Sequence, residues 1–143
     1  MTNSYNAYYA TTVLPSPTIS NITALAAADY QTGTLENFYF PTNGTNLSKL
    51  LNAGSQTADL SGLFWFTTTT NNFRETNSMV DIGYHAAATL NGVPLDSGDG
   101  IFDLFQDANG NGVLDSGETD WTNLNDWGLR VLITRPRNGS ILP

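Results

Sequence analysis

The amino-acid sequence predicts a mainly-β domain, because its composition, its short alternating runs and its turn signals agree. The 143 residues are rich in Thr, Asn, Ser, Gly and aromatic side chains, and helix-favouring stretches rich in Lys, Glu and Ala are scarce. A chain of this length is typical of one domain. Short strands joined by polar turns leave three architectures open: a sandwich, a barrel and the coils of a solenoid.

Four aromatic or β-branched runs carry the strand prediction. In residues 78–85 an extended chain would bury Val80, Ile82 and Tyr84 on one side. Turns are predicted at the Asn-Gly pairs 43–44, 91–92 and 138–139. The four runs are LENFYFP (35–41), GLFWFTTTT (62–70), SMVDIGYH (78–85) and GLRVLITRP (128–136).

Helix is predicted in two short places only. Residues 22–30, ITALAAADY, are long enough for about two turns. Residues 100–107, GIFDLFQD, place Ile101, Leu104 and Phe105 on one helical face, again over about two turns. We therefore expect helices to be minor elements of a β-rich chain.

The charge of the chain excludes several classes of partner. The 13 acidic and 5 basic residues give a formal net charge of −8, so the basic surface that nucleic acid or an anionic membrane requires is missing. No apolar run reaches the roughly 18 residues of a membrane-spanning helix. The absence of cysteine excludes disulfides, thiolate metal sites and cysteine nucleophiles. Residues 1–12 lack the regions of a signal peptide, so we expect a cytoplasmic protein, a mature form or a piece of a longer chain.

Acidic residues are concentrated in one part of the sequence. They divide it into a β-rich body, residues 1–94, and an acidic calcium-binding segment with a terminal strand, residues 95–143. We expect the two parts to form one structural unit. The acidic residues of the segment are Asp96, Asp99, Asp103, Asp107, Asp115, Glu118, Asp120 and Asp126.

Residues 107–118, DANGNGVLDSGE, match the calcium loop of EF hands at every defining position. Side-chain oxygens fall at positions one, three, five, nine and twelve, and a backbone carbonyl is offered at seven. Gly112, at position six, permits the sharp turn. Calcium takes about six to eight hard oxygen ligands, whereas magnesium prefers a tighter octahedron and is the second choice. The predicted ligands are Asp107, Asn109, Asn111, the Val113 carbonyl, Asp115 and Glu118.

A second, incomplete loop precedes it at 96–106, DSGDGIFDLFQ. Its first ligand position falls on Leu95 and its last on Gln106, so the loop is either decayed or shortened by one residue, with Asp96 as a substitute ligand. A second calcium ion is one interpretation, and an acidic turn without metal is the other. The predicted ligands of the second ion are Asp96, Asp99, the Ile101 carbonyl and Asp103. Because long helices and a Met-rich groove are missing, we expect a structural ion rather than a sensor.

No other chemistry is indicated, and we do not expect an enzyme. The only histidine, His85, follows a predicted strand and is expected to be packed or exposed. Glu36 and Glu75 are the glutamates outside the acidic segment, and neither has the context of a glycosidase carboxylate. The aromatic run 64–66 fits a core strand, with sugar stacking as the alternative. The sequons predict glycosylation only in a host that modifies them, at Asn21, Asn43, Asn46 and Asn138.

Residues 95–121, LDSGDGIFDLFQDANGNGVLDSGETDW, resemble the acidic Asp-Gly segments of bacterial cell-surface proteins, which are related to dockerin and thrombospondin type 3 calcium repeats. LLNAGS (50–55) and SMVDIGYH (78–85) resemble a signature that ends many right-handed parallel β-helix proteins, and NAYY (6–9) is similar to the Asn-led turns of their coils. The resemblance covers most of the chain, from about residue 5 to residue 136. It implies the terminal portion of an exported, repetitive surface protein.

The resemblance makes the fold expectation more specific: a short β-helix-like, solenoid-like or sandwich-like body with an EF-hand-like calcium loop. A few β-helix coils leave an open end of unpaired backbone, which must be capped or stacked. We therefore expect an extracellular or cell-surface building block that forms a homo-oligomer or polymer through its open β ends, with a self-capped monomer as the alternative. The rival hypothesis is a carbohydrate-binding or carbohydrate-active module, with glycans as partners. Neither nucleic-acid binding nor membrane insertion is expected.

Overall fold

The computed structural model describes residues 3–7, 9, 18–19, 22, 25–27 and 29–128. Its regular elements are short and are mostly strands, as the β-rich prediction requires at this coarse level. Neither helix of the described residues is long and apolar enough to cross a membrane. In chain order the elements are β1 (Asn3–Ser4), β2 (Thr18–Ile19), α1 (Leu47–Leu50), β3 (Phe66–Thr67), β4 (Ala86–Ala87), β5 (Thr89–Leu90), β6 (Val93–Pro94) and α2 (Asp103–Gln106).

The strands pair in separate two-stranded sheets. β1 and β2 are parallel, with Asn3 opposite Thr18, and a parallel bridge joins Ala7 to Ile22. Both pairs are therefore offset by 15 residues (18 − 3 and 22 − 7). β3 pairs with β4, and β5 with β6, in the antiparallel direction. The described part of the chain thus combines a parallel N-terminal ladder with antiparallel pairs nearer the acidic segment.

The turn predictions in the described residues are confirmed. Asn91 and Gly92, with φ of 52° and 87°, form the two-residue connection of β5 and β6. Positive φ at both positions is the reason that an Asn-Gly pair suits this hairpin. The Gly44 N–H donates to the Pro41 carbonyl and closes the turn at 43–44. The third pair, 138–139, lies outside the described residues. The predicted last strand, 128–136, also lies outside them from residue 129 onward.

The burial prediction for residues 78–85 is wrong. Asp81 is buried, with 7% of its surface exposed, whereas Tyr84 is 46% exposed. Val80 and Ile82 are only partly buried. The carboxylate of Asp81 faces inward because hydrogen-bond donors from two other segments meet it there, and a satisfied polar group can replace an apolar one in the interior.

The predicted strands are longer than the observed ones. In run 35–41 only Tyr39 and Phe40 make bridges, and in run 62–70 the strand covers Phe66–Thr67 with one further bridge at Thr69. Short polar side chains compete with the ladder for backbone groups: the Asn71 Oδ1, for example, accepts the Phe73 N–H. Local bonding of this kind ends strands early.

The two helix predictions have different outcomes. The described residues of 22–30 are not helical, and Ala26 instead bonds through its N–H and its carbonyl to the side chain of Asn46. In 100–107 a helix does form, as α2, but it buries Asp103 and Gln106, whereas Phe105 is mostly exposed. Ile101 and Leu104 are only partly buried, so the most buried side chains of α2 are polar and not those of the expected apolar face.

The interior of the described chain is both apolar and polar. The aromatic run behaves as a core strand, since Trp65 is buried between two partly exposed phenylalanines. The buried apolar residues are Tyr39, Phe40, Leu50, Ala58, Trp65, Ala86, Ala88 and Trp121. The buried polar residues are Asn46, Thr67, Thr68, Thr69, Glu75, Asp81, Thr89, Asp103, Gln106 and Asp107.

Candidate metal centre

Asp107, the first predicted ligand of the loop, lies at the end of α2 and is almost fully buried, with 2% of its surface exposed. Its Oδ1 accepts the N–H groups of Gly110 at 2.7 Å and Asn111 at 3.1 Å. Its Oδ2 accepts the Gly112 N–H at 2.6 Å and the Trp65 indole N–H at 2.7 Å. Four donors therefore compensate the loss of water around this carboxylate, as a buried charge requires.

Three further predicted ligands meet at one point of the loop. The Oδ2 of Asp115 accepts from the Nδ2 of Asn109 and from the Nδ2 of Asn111, each at 2.8 Å. These bonds, first that of Asn109 and then that of Asn111, lower the pKa of the Asp115 carboxyl. The sequence places these side chains at positions three, five and nine, and the structure brings their polar ends together.

Glu118 closes the loop. Its Oε1 accepts the N–H groups of Ala108 at 2.9 Å and Asn109 at 3.4 Å, and its Oε2 accepts the Asp115 N–H at 2.8 Å. A single carboxylate thus joins the start of the loop to its end. Val113, the source of the sixth predicted ligand, donates its own N–H to the Oδ1 of Asn111 at 2.6 Å.

The loop packs directly against the β body. The Phe64 N–H donates to the Gly110 carbonyl at 3.1 Å. Gly112 has a φ of +74° and lies so close to the Phe64 ring that a Cβ would collide with it. The Trp65 ring, which also reaches Asp107, meets the Trp121 ring edge-on, with centroids 5.8 Å apart. The glycine predicted for the sharp turn therefore also permits close approach of the body.

The acidic side chains predicted to bind the second ion each accept hydrogen bonds from a different set of donors. The Oδ1 of Asp96 accepts three successive N–H groups, those of Gly98, Asp99 and Gly100, at 2.6 to 3.3 Å. Such a turn around one carboxylate oxygen resembles the arrangement of Asp107. Asp96 therefore stabilises the start of this turn through its carboxylate, and its role as a substitute metal ligand stays a prediction.

The other acidic side chains of this loop accept hydrogen bonds from residues of the same segment. Asp99 accepts the Ile101 N–H and the Nε2 of Gln106, each at 2.8 Å. Asp103 is buried and accepts from the backbone and hydroxyl of Ser97; burial raises the pKa of its carboxyl, and the Ser97 bonds oppose the shift. The Oε1 of Gln106 is buried without a hydrogen-bond partner among the described residues. Residues 96–106 thus form an ordered acidic turn whose carboxylates bond to different groups.

Within the described residues, no group of three or more His, Cys, Asp or Glu side chains is arranged to hold a metal ion. Half of the six ligands predicted in residues 107–118 are of a different kind, namely amide and carbonyl oxygens. A site built from these residues depends on Asn109 and Asn111 as much as on the carboxylates. Asparagine oxygens are ordinary calcium ligands.

A buried polar network in the body was not indicated by the sequence. His85 and Glu75 are in hydrogen-bond contact, with Nε2 and Oε1 2.8 Å apart. Glu75 also accepts the Asp81 N–H, and Asp81 accepts the Thr68 hydroxyl at 2.6 Å and the Asn52 N–H at 2.7 Å. Burial raises the pKa of the Asp81 carboxyl, the bonds from Thr68 and Asn52 oppose this, and the charge of Glu75 adds to it.

This network joins segments that are far apart in the sequence. Position 52 follows α1, position 68 follows β3, and positions 75 to 85 lie between β3 and β4. The only signal available was a polar residue, Asp81, inside an apolar run, and its partners come from outside that run. His85 is packed, as one of the two expected outcomes stated.

The sequons differ in accessibility. Asn43 is exposed. Asn46 is buried, with 3% of its surface exposed, and its amide bonds to the backbone of Ala26 and Ala27. Glycosylation at Asn46 would break these bonds, so the folded chain cannot carry a sugar there. Asn21 and Asn138 lie outside the described residues.

Comparisons with models of protein families, with curated proteins and with solved structures give no match to this chain. The interpretation of the loop therefore depends on its own residues and geometry. That geometry is a closed acidic loop, anchored by one buried carboxylate to the core tryptophan of the body.

Proposed function

We propose that this chain is a calcium-stabilised structural module of an extracellular or cell-surface protein. The observation that carries the proposal is the position of Asp107, which accepts three N–H groups of the loop and the indole N–H of Trp65. An ion held by the loop would therefore stabilise the body as well as the loop. A purely superficial acidic turn has no need of such an anchor.

The donor set of residues 107–118 fits calcium. Asn109 and Asn111 direct their amide nitrogens at Asp115, and rotating each amide by 180° exchanges its nitrogen for its oxygen. The rotation breaks the hydrogen bonds that the Asn111 and Val113 N–H groups now donate to the two amide oxygens, and the bound ion has to compensate this loss. Three side-chain oxygens would then face one another, an arrangement that a cation stabilises. The bound ion would supply the positive charge that holds these oxygens together. Hard oxygen ligands of this number and flexibility favour calcium over magnesium.

The ligand charge indicates modest affinity. Asp107, Asp115 and Glu118 contribute the three carboxylates, and the two amides are neutral. Fewer charged ligands place an EF-hand-like loop closer to extracellular modules than to cytosolic buffers. This supports an extracellular location, where calcium is abundant. A second ion at Asp96, Asp99, Ile101 and Asp103 stays a prediction.

The experiment is a calcium titration followed by calorimetry of the native chain and Glu118→Gln. At about one hundred times its Kd, an ion that binds only the folded state adds about 2.7 kcal/mol to the free energy of unfolding. Glu118→Gln should lower the melting temperature more in calcium than in chelator, because in calcium it weakens a bidentate ligand, whereas in chelator it removes only one carboxylate oxygen that accepts a backbone N–H. Glu36→Gln is the matched control, since Glu36 is exposed and outside the loop. If the native chain and Glu118→Gln melt alike under both conditions, the ion has no structural role.

We further propose that the parallel pairing of residues 3–4 and 7 with residues 18–19 and 22 is part of a solenoid-like arrangement whose open edge pairs with a further coil or with a second copy. The support is the constant 15-residue offset of the parallel pairs Asn3–Thr18 and Ala7–Ile22. A constant offset between parallel segments is the pattern of a solenoid. Among the described residues β1 pairs on one side only, which leaves a strand edge for association.

A further inference from the structure

A cleft of about 750 Å³ lies between the β body and the acidic segment. One wall belongs to the body and includes Asn71, Phe73 and Arg74, and the other includes Asp96 and Trp121. Its volume is within the range of sites that hold small organic ligands. The lining does not include Asn109, Asn111 or Asp115, so the cleft is separate from the proposed calcium loop, although it includes two predicted ligands of the second ion, Asp96 and Asp103.

Arg74 is held in one orientation at this cleft. Its guanidinium carbon lies 4.6 Å from the Trp65 ring centroid and 4.9 Å from the Phe64 ring centroid. Contacts of a cation with two ring faces restrain a long side chain. No carboxylate of the described residues is in direct ion-pair contact with Arg74, although the charge of Arg74 acts on Asp103 in the opposite wall and opposes the rise in the pKa of that carboxyl. The planar N–H donors of a fixed guanidinium are therefore available to a ligand.

Phe73 supplies an apolar platform next to this cation. Phe73 lines the cleft and is 77% exposed, so its ring is accessible to a ligand. Its backbone N–H donates to the Asn71 Oδ1 at 3.0 Å, and the same oxygen accepts the Thr69 hydroxyl at 2.6 Å. The turn that presents Phe73 and Arg74 is thus fixed by side-chain hydrogen bonds.

The opposite wall supplies hydrogen-bond acceptors. Asp96 uses its Oδ1 for three backbone N–H groups, and its Oδ2 accepts no hydrogen bond from the described residues. Asp103 adds a second negative charge to the lining. An anionic ligand would meet these carboxylates and a chain of net charge −8. Donors, acceptors and an apolar ring together suit a neutral molecule rich in hydroxyl groups.

We propose that this cleft binds a neutral oligosaccharide. The apolar face of one sugar ring packs on Phe73, and vicinal hydroxyl groups accept hydrogen bonds from Arg74 and donate them to Asp96. A sugar matches this mixture because each hydroxyl both donates and accepts. The assignment does not depend on the ion proposed in residues 107–118, but it gives Asp96 to the sugar and therefore excludes Asp96 as a ligand of the second predicted ion.

The test is isothermal titration of the full chain, in calcium buffer, with a panel of neutral hexasaccharides built from glucose, mannose, xylose or galactose. Oligogalacturonate is included as the acidic comparison. We expect saturable binding of at least one neutral member with a Kd below about 1 mM. Phe73→Ala and Arg74→Met should each weaken it at least about tenfold. Both residues are exposed, so the variants should fold, which circular dichroism checks.

Phe38→Ala is the matched control, because Phe38 is an exposed aromatic outside the cleft, and it should bind as the native chain does. Failure of every neutral hexasaccharide to bind overturns the proposal. Binding of the acidic member alone shows that the ligand class is wrong. Equal binding by the native chain, Phe73→Ala and Arg74→Met shows that sugar binds elsewhere.

Discussion

The hydrogen bond between the Trp65 indole and Asp107 is the most informative single contact to perturb. It joins the core of the body to the acidic loop at 2.7 Å, with both partners buried. Trp65→Phe removes the N–H donor and keeps an aromatic ring. Asp107→Asn removes the charge and keeps an acceptor oxygen for the loop. The two changes and their combination form a double-mutant cycle that isolates the contact.

The expected coupling energy follows from the type of bond. A hydrogen bond to a charged group contributes about 1.5–3 kcal/mol to stability, roughly twice the value for neutral partners. Trp65→Phe alone should cost more, because the smaller ring also loses contact with Trp121 and Arg74. The cycle subtracts those losses, since they are present whether residue 107 is Asp or Asn. We therefore expect a coupling of about 1.5–3 kcal/mol.

The assay is urea unfolding followed by fluorescence of the remaining tryptophans. The four proteins are compared in chelator, so that a difference in calcium affinity between Asp and Asn at position 107 adds nothing to their stabilities. The coupling then reports the hydrogen bond. Trp121→Phe combined with Asp107→Asn is the control, because Trp121 contacts Trp65 and donates no hydrogen bond to Asp107. A Trp65 coupling within about 0.5 kcal/mol of zero, or equal to that of Trp121, would refute the reasoning.

Two further predictions concern pH and association. Burial raises the pKa of the Asp81 carboxyl in the folded state. The contribution of Asp81 to the free energy of unfolding is therefore complete below the ordinary pKa of 3.8 and is lost as the pH rises through the folded-state pKa. The melting temperature of Asp81→Asn, relative to the native chain, should therefore increase as the pH rises above 3.8, and a difference that is constant with pH would contradict this. For the open edge of β1, sedimentation in calcium should show dimers or larger species that a proline at Ser4 reduces, because proline cannot donate to a strand ladder. A chain that sediments as a monomer at every concentration rules out association through that edge.

The sequence predicts well those features that depend on local chemistry. Asn91 and Gly92 specify their hairpin because both positions need positive φ. The polar ends of Asn109, Asn111 and Asp115 meet because the spacing of the loop brings them together. Each of these features depends on residues within twelve positions of one another, so it can be predicted from a short stretch of sequence.

The sequence fails where distant segments decide the outcome. The alternation in 78–85 predicts Tyr84 as buried, but the inward position belongs to Asp81, whose partners Thr68 and Asn52 lie outside the run. A carboxylate is buried only when such donors are in place. The anchor of Asp107 on Trp65, 42 residues away, is equally invisible to local patterns. Long-range hydrogen bonds of buried polar groups therefore mark the limit of sequence-based prediction here.

The polar interior also explains why an ion in the loop would matter to the whole chain. Thr67, Thr68, Glu75 and Asp81 occupy space that apolar side chains fill in larger domains. Each buried carboxylate costs desolvation, which its hydrogen bonds offset only in part. Small domains have a total stability of about 5–15 kcal/mol, so about 2.7 kcal/mol from a bound ion is a substantial share. Because Asp107 connects the loop to the body, the two should unfold together rather than in separate steps.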